Sequence, residues 1–479
     1  MRTDRALSRR KPLWTGLGVT VLLAGCATTA IDGNFRAAEE VTRNRLGAEV
    51  KWLTTDEARR VARTTTDELL ARPLDADDAV RIALAYSPAV QALLFERAAD
   101  AARITQGTRL PNPVLTFERL LRQEPGVREL EITRMLAISI GDLLLLPSRL
   151  RVAEYRQAET RARLAGDVAM AATLARQAWV RAVAAQQMQQ YVEQVKAAAD
   201  VSAELARRMQ AAGNFSKLQR AREQVFAAEA VAELARAQQV ARSTREALVR
   251  TLGLDSAQAQ RLQLPDRLPD LPKTTRDEAA VLEAAFEQRV DVRVARASLE
   301  ATAREQGLTN VARFVDGLHL AGVRTSETGL PVQKGYEVEV PLPIFDLGDA
   351  TRAGAQATYM ATLNRTSQVL VDAASQVREI YGAYRTTADL ARHYRDEIVP
   401  LRKAIAEENV LRYNGMLIGV FELLADARAQ TATVVQAIAA QRDFWLADAA
   451  LQAALIGQPV MMAPMEASAA SAPAVGAGH

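Results

Sequence analysis

The chain has 479 residues, 49% of them hydrophobic and 24% charged, enough for a large core or several domains. A formal net charge of only +3 leaves no nucleic-acid-binding footprint, so a nucleic-acid partner is excluded. Aromatic residues make up only 5% and alanine is abundant, which suits long helices packed closely side by side.

The N-terminus reads as a targeting segment. Arg2, Arg5, Arg9, Arg10 and Lys11 form a basic region, and Leu13 to Leu23 a short apolar stretch. The cleavage zone is Leu23-Ala24-Gly25-Cys26, which resembles a bacterial lipoprotein signal over residues 1–25. That resemblance implies that Cys26 is acylated, with palmitate-type chains, and becomes the first mature residue. An ordinary signal peptide with a chance cysteine is the competing reading. Cys26 is the only cysteine, so no intramolecular disulfide is possible. Ala27 follows it in place of the Asp that retains such lipoproteins at the inner membrane, so outer-membrane sorting is expected. Acyl chains anchor without a spanning helix. Past residue 26 no run of about 18 apolar residues occurs, so a membrane crossing would need a closed β-barrel.

Residues 26–76 form an N-terminal segment, and after them the chain repeats at a spacing of about 200 residues. "DDAVRIALAYSPAVQALLFERAADAARITQG" (77–107) is matched by "DEAAVLEAAFEQRVDVRVARASLEATAREQG" (277–307). "RRMQAAGNFSKLQRA" (207–221) matches "VLRYNGMLIGVFELLADA" (410–427) around Gly213 and Gly415, and Gly253 matches Gly457 near the ends. A period this long is no solenoid; it predicts two half-molecules of one design, residues 77–253 and 277–457. Residues 254–276 link them through the proline-punctuated "LPDRLPDLPK", and 458–479 read as a disordered low-complexity tail.

Each half reads helix, two strands, very long helix, tip, returning helix. Alternating side chains put strands at about 113–121 and 129–140, then 316–325 and 334–344. At about 9–11 residues each could cross a bilayer when tilted. In "YEVEVPLPIFDLGD" (336–349), Tyr336, Val338, Val340 and Leu342 share one face while Glu337 and Glu339 share the other. Pro341 and Pro343 lack ladder donors, so pairing should fade there, with Asp346 or Asp349 capping the next helix.

The first long helix is expected from about Pro147 to Ala212, roughly 100 Å at about 1.5 Å per residue. Met188, Tyr191, Val195, Ala198, Ser202, Leu205 and Met209 step 3-4-3-4-3-4 as a coiled-coil seam. The second long helix is expected from about Asp349 to Tyr413, bent at Pro400, with a full helix break there as the competing reading. The helical tips fall at about 213–216 (Gly213, Asn214, Phe215, Ser216) and 415–420 (Gly415, Met416, Leu417, Ile418, Gly419). Apolar side chains at these turns, with Val420 and Phe421, read as an exposed contact patch, with burial inside the hairpins as the competing reading.

Four strands cannot close a barrel, and an open sheet in lipid leaves unpaired edges at several kcal/mol per group. The barrel must be shared: two chains give eight strands, three give twelve. Glu131, Ser139, Glu337 and Glu339 on inward faces favour a water-filled lumen.

"ALAYSPAVQA" and "AAFEQRVDVRVA" opening the halves, "VPLPIFDLGDATRAGAQA" after the last strand and "RYNGMLIGVFELLADARAQ" at the second tip together resemble the outer-membrane efflux protein (TolC-like) family over nearly the whole mature chain. The resemblance implies a mainly α fold with a small transmembrane β part, and a homotrimer with a 12-stranded β-barrel on a periplasmic α-helical tunnel. It implies a periplasmic adaptor (membrane fusion) protein and an inner-membrane transporter of the RND type as partners, and outer-membrane localisation. The function implied is the outer-membrane duct of a tripartite efflux pump, with the tips contacting the adaptor and closing the aperture. Tyr413 matches the family's aperture Tyr and Glu422 the first of two Asp; Ile418 stands for an Arg and Ala425 for the second Asp, with Asp426 one residue on. The charge network that latches some members shut is therefore incomplete.

No enzyme is expected. His319, His393 and His479 show no metal-ligand spacing, and no G-x-S-x-G or P-loop occurs. Met461, Met462 and Met465 suit Cu(I) chemically, yet they sit in the Ala/Ser/Pro tail, and no metal or cofactor is assigned. The alternative function is a lipid-anchored periplasmic coiled-coil scaffold with no channel. It gives no reason for four two-faced strands.

Overall fold

The computed structural model describes residues 50–281, 283, 289–342 and 344–457. The signal segment, Cys26, Pro343 and the tail 458–479 lie outside the described residues.

In chain order the elements are α1 (Asp56–Leu69), α2 (Ala76–Tyr86), α3 (Pro88–Gln106), β1 (Val114–Glu124), β2 (Val127–Ser139), α4 (Ile140–Ala211), α5 (Lys217–Leu252) and α6 (Ser256–Arg261). The second half supplies α7 (Val290–Val315), β3 (His319–Glu327), β4 (Gln333–Glu339), α8 (Asp349–His393), a π-turn (Tyr394–Ile398), α9 (Val399–Asn414) and α10 (Val420–Ile456). The described residues divide into two compact units: 94–165 with 291–370, and 50–93 with 166–290 and 371–457.

The first unit holds one antiparallel sheet of order β1-β2-β3-β4, so both edges belong to the first and last strands. Pairing on β4 stops at Glu339, before Pro341 removes a donor. Pro341 lies against Gly317, where φ is +79° and an added Cβ would sit 3.2 Å from the proline ring. Asp346 accepts the Gly348 N–H at 2.7 Å, and Asp349 opens the next helix in its first turn. Below the sheet Arg156 forks onto Glu305 at 2.9 and 2.8 Å, joining α4 to α7.

The first long helix begins seven residues earlier than Pro147 suggests. Ser139 Oγ accepts the Asp142 N–H at 3.1 Å, so Ser139 acts as the N-cap and Pro147 is carried inside the helix. In the second half, Pro400 cannot donate to the carbonyl one turn back, and the five-residue π-turn ends two residues before it.

The second unit is an alanine-rich helical packing. On α4 the buried seam is Val192, Ala199, Ser202 and Ala206, with Val195 and Met209 half-buried. The expected Ala198 and Leu205 lie outside it: Leu205 is 40% exposed and Ala206 only 1%. Small alanines let the returning helix come close, and leucine at those positions would hold it off. Tyr381, Tyr384, Phe444, Leu451 and Val377 centre another core cluster. The proline-rich connector is buried into these helices. Leu264, Leu268 and Leu271 are buried, and Gln441 and Trp445 donate to the Pro269 carbonyl at 2.8 and 3.0 Å.

Asp448 is buried in this unit, 3.4 Å from Arg276 and hydrogen-bonded by Gln452 at 2.6 Å. Burial pushes its carboxyl above the ordinary 3.8, with Arg276 opposing. A raised native pKa means that the folded state binds more proton, so this group's contribution to stability falls as pH rises through the native pKa. Asp448→Asn is expected to raise the melting temperature at pH 7. That gain should shrink to nothing as pH falls below 3.8, in melts read across pH.

Candidate functional site

The sheet carries two chemically opposite faces. Register puts Leu115, Leu136, Gly322 and Tyr336 in one row, and Ile138, Leu320 and Val338 in the next. The opposite face carries Glu118, Glu129, Glu131, Glu327, Glu337 and Glu339. Glu337 is in register with Ala321 and Ala137, and Glu339 with His319 and Ser139. On the central strands the apolar face is the open one. Arg134, Leu136, Ile138, Leu320, Gly322 and Arg324 are exposed, while Thr133, Met135, Ala137, Ala321, Val323 and Thr325 are buried or half-buried. On the two central strands the carboxylate-bearing face is therefore the less exposed one, while Glu118, Glu337 and Glu339 on the edge strands are open. Tyr336 is 81% exposed, an unusual place for a tyrosine in water.

The two helical tips share a backbone design. The Asn214 N–H reaches the Met209 carbonyl at 2.9 Å, and the Leu417 N–H the Arg412 carbonyl at 2.8 Å. The left-handed residue is Gly213 (φ +81°) in the first tip and Met416 (φ +60°) in the second, so Gly213 is equivalent to Met416 and not to Gly415. The helices after the tips are capped by Ser216, with a full capping box to Gln219, and by Gly419, with no side-chain cap. Local chemistry thus holds the second tip less firmly than the first.

Met416 and Leu417 are 92% and 75% exposed, and Asn214, Gly415 and Tyr413 are also open. Phe215 and Val420 are not surface residues. They are buried with Ala206 and pack against Met209 and Leu424, so the expected apolar patch contracts to the second tip. Phe421 lies under Arg222, 5.6 Å from guanidinium to ring centre. Glu422 is exposed, whereas Asp426 accepts from Asn409 on the facing helix. No hydrogen bond or ion pair among the described residues links Tyr413, Glu422 and Asp426 to one another.

One cluster near the tips escaped the sequence reading. Glu223 on α5 is fully buried, accepts from Ser202 at 2.7 Å and pairs with Arg428 on α10. Arg428 also stacks 4.6 Å from the Phe226 ring centre. The signal was Ser202, a hydroxyl inside an apolar seam that required a buried partner. Among the described residues no group of three or more His, Cys, Asp or Glu could hold a metal ion, and no helix is long and apolar enough to cross a membrane.

Long antiparallel helices and a small antiparallel sheet define the fold class. No protein-family model matches the chain, and no curated protein sequence does. Solved structures do. CusC, described in terms of folding and transmembrane channel formation, superposes with TM-score 0.67 at 14% identity, covering 80% of this chain and 92% of its own. The outer-membrane channel OprN gives 0.64 at 18%, covering 83% and 92%. The outer membrane protein VceC of Vibrio cholerae gives 0.65 at 17%, covering 80% and 96%. This chain shares their fold, the TolC-like fold of outer-membrane channels.

Proposed function

We propose that the protein is the outer-membrane channel of a tripartite efflux system. The observation that carries this reading is the sheet, with one exposed apolar face, one carboxylate-bearing face and two edge strands that are unpaired on their outer sides among the described residues. In water the apolar face would be a costly exposed patch, and in lipid it is the required surface. The open edges are satisfied when β1 of one protomer pairs with β4 of the next. Three copies then give a 12-stranded barrel whose carboxylate face lines water. The likeness to outer-membrane channels over 80–83% of the chain supports the same conclusion.

In this reading Cys26 carries acyl chains in the outer membrane and the helices extend into the periplasm. The tips Gly213–Ser216 and Gly415–Gly419 meet a periplasmic adaptor, and an inner-membrane transporter of the RND type loads the duct. Tyr413 and Glu422 line the periplasmic aperture, and Asp426 braces it through Asn409. The protein moves solutes and performs no catalysis.

Glu337 and Glu339 would form six carboxylates around the bore of a trimer. In planar bilayers the purified protein should form ion-conducting pores. Glu337→Gln with Glu339→Gln should lower the cation-over-anion permeability ratio severalfold with the pore intact. Absence of any conductance from correctly sized oligomers would sink the channel reading.

A further inference from the structure

The apolar face of the sheet carries a feature that a barrel wall does not require. Register aligns Phe117, Arg134, Arg324 and Lys334 directly across the four strands in one row. Arg134 lies 5.9 Å from the Phe117 ring centre. All three cations are exposed, and none forms an ion pair among the described residues. Arg119 shares the face one row nearer the hairpin turns. No carboxylate lies on this face: Glu118, Glu129, Glu131, Glu327, Glu337 and Glu339 all fall on the other.

Like charges directly opposite across strands repel. Three in succession with no acid beside them are a fold-level cost unless an external anion covers them. The row stands about 13 Å along β4 from Val338, at roughly 3.3 Å per residue. It lies on the hairpin side of the apolar rows Leu115–Leu136–Tyr336 and Ile138–Leu320–Val338. The occupant must therefore present phosphate-like charge beside acyl chain.

We propose that Arg134, Arg324 and Lys334 form a binding girdle for the phosphate groups of an outer-leaflet phosphorylated glycolipid, with Phe117 and Tyr336 against its acyl region. The inference rests on the barrel reading, in which the hairpin end faces the cell exterior. A free phosphate ion would meet the cations but leave the flanking apolar rows unused, so the lipid is the occupant. In a trimer the row repeats three times around the barrel.

The test uses the full-length protein in detergent, titrated with phosphatidylcholine vesicles containing bis-phosphorylated lipid A or its dephosphorylated form. Wild type should bind the phosphorylated form selectively, and millimolar inorganic phosphate should not displace it. Arg134→Gln, Arg324→Gln and Lys334→Gln together should lower the affinity roughly a hundredfold, about fivefold for each charge. Arg134→Lys with Arg324→Lys should stay within about fivefold of wild type. Equal binding of the two lipid forms by wild type overturns the proposal and needs no variant to fold. Unchanged affinity in an assembled triple variant overturns it too, as does displacement by inorganic phosphate. Sizing and circular dichroism separate the two readings. If wild type forms no oligomeric barrel, the channel reading and the girdle fall together; if it does and the lipid results fail, the girdle alone falls.

Discussion

Arg428→Ala is expected to cost about 3–5 kcal/mol of local stability in the helices around Glu223. Glu223 has no solvent exposure, and among the described residues its side chain is partnered by Ser202 and Arg428. Removing Arg428 leaves a buried carboxylate with a single neutral donor, and the desolvation of that charge is no longer offset. The stacking on Phe226 is lost as well. Removing both charges together, as Glu223→Gln with Arg428→Met, should recover most of the loss, because a well-packed neutral pair avoids desolvating two ions. Hydrogen exchange along α5 and α10 reads the effect directly. A single-variant cost below about 1 kcal/mol would mean that the pair is not the tie between the two helical hairpins that its geometry indicates.

Gly141→Ala is expected to be comparably severe, at about 3 kcal/mol or more. A Cβ at this position would lie 1.9 Å from the Val315 carbonyl oxygen and 3.0 Å from its carbonyl carbon. The obstructing atoms are backbone, so no side-chain rotation relieves the clash. The Ile140 and Gly141 N–H groups both donate to the Leu318 carbonyl, at 2.9 and 3.1 Å. Gly141 therefore fixes where β2 becomes α4 against the strand-ward end of α7. Displacing it should detach the sheet from its helical support, seen as a lowered yield of assembled oligomer and loss of exchange protection in β2 and β3. Wild-type assembly and melting in Gly141→Ala would show that the approach of the two backbones is not needed.

How far this fold could be read from sequence depended on which signals are periodic. The strand faces were legible because alternation is strict in "YEVEV" and broken only at Arg134 and Met135 in "LEITRMLAIS", and the register then places Glu337 and Glu339 on one common side. The turn chemistry was harder. Gly213 and Gly415 align by sequence, yet the left-handed position falls on Met416, because the second tip closes one residue later. The start of α4 was misread because Pro147 is a strong first-turn signal, while Ser139 and Ile140, the cap and first residue of the helix, lay at the end of what read as strand. The seam slipped by one at Ala199 and Ala206 because alanine is a poor hydrophobic marker but a good close-packing residue. Glu223–Arg428 and the Arg134–Arg324–Lys334 row join residues far apart in the chain, and no local pattern could bring them together.

The central claim is that four strands per chain are completed by neighbouring copies. Single-particle imaging of the full-length protein in detergent tests it most directly. The account predicts three copies around one closed 12-stranded barrel, with β1 of each protomer hydrogen-bonded to β4 of the next and Glu337 and Glu339 facing a water-filled bore. A monomer with an open four-stranded sheet, freely soluble once Cys26 is replaced by serine, would contradict it.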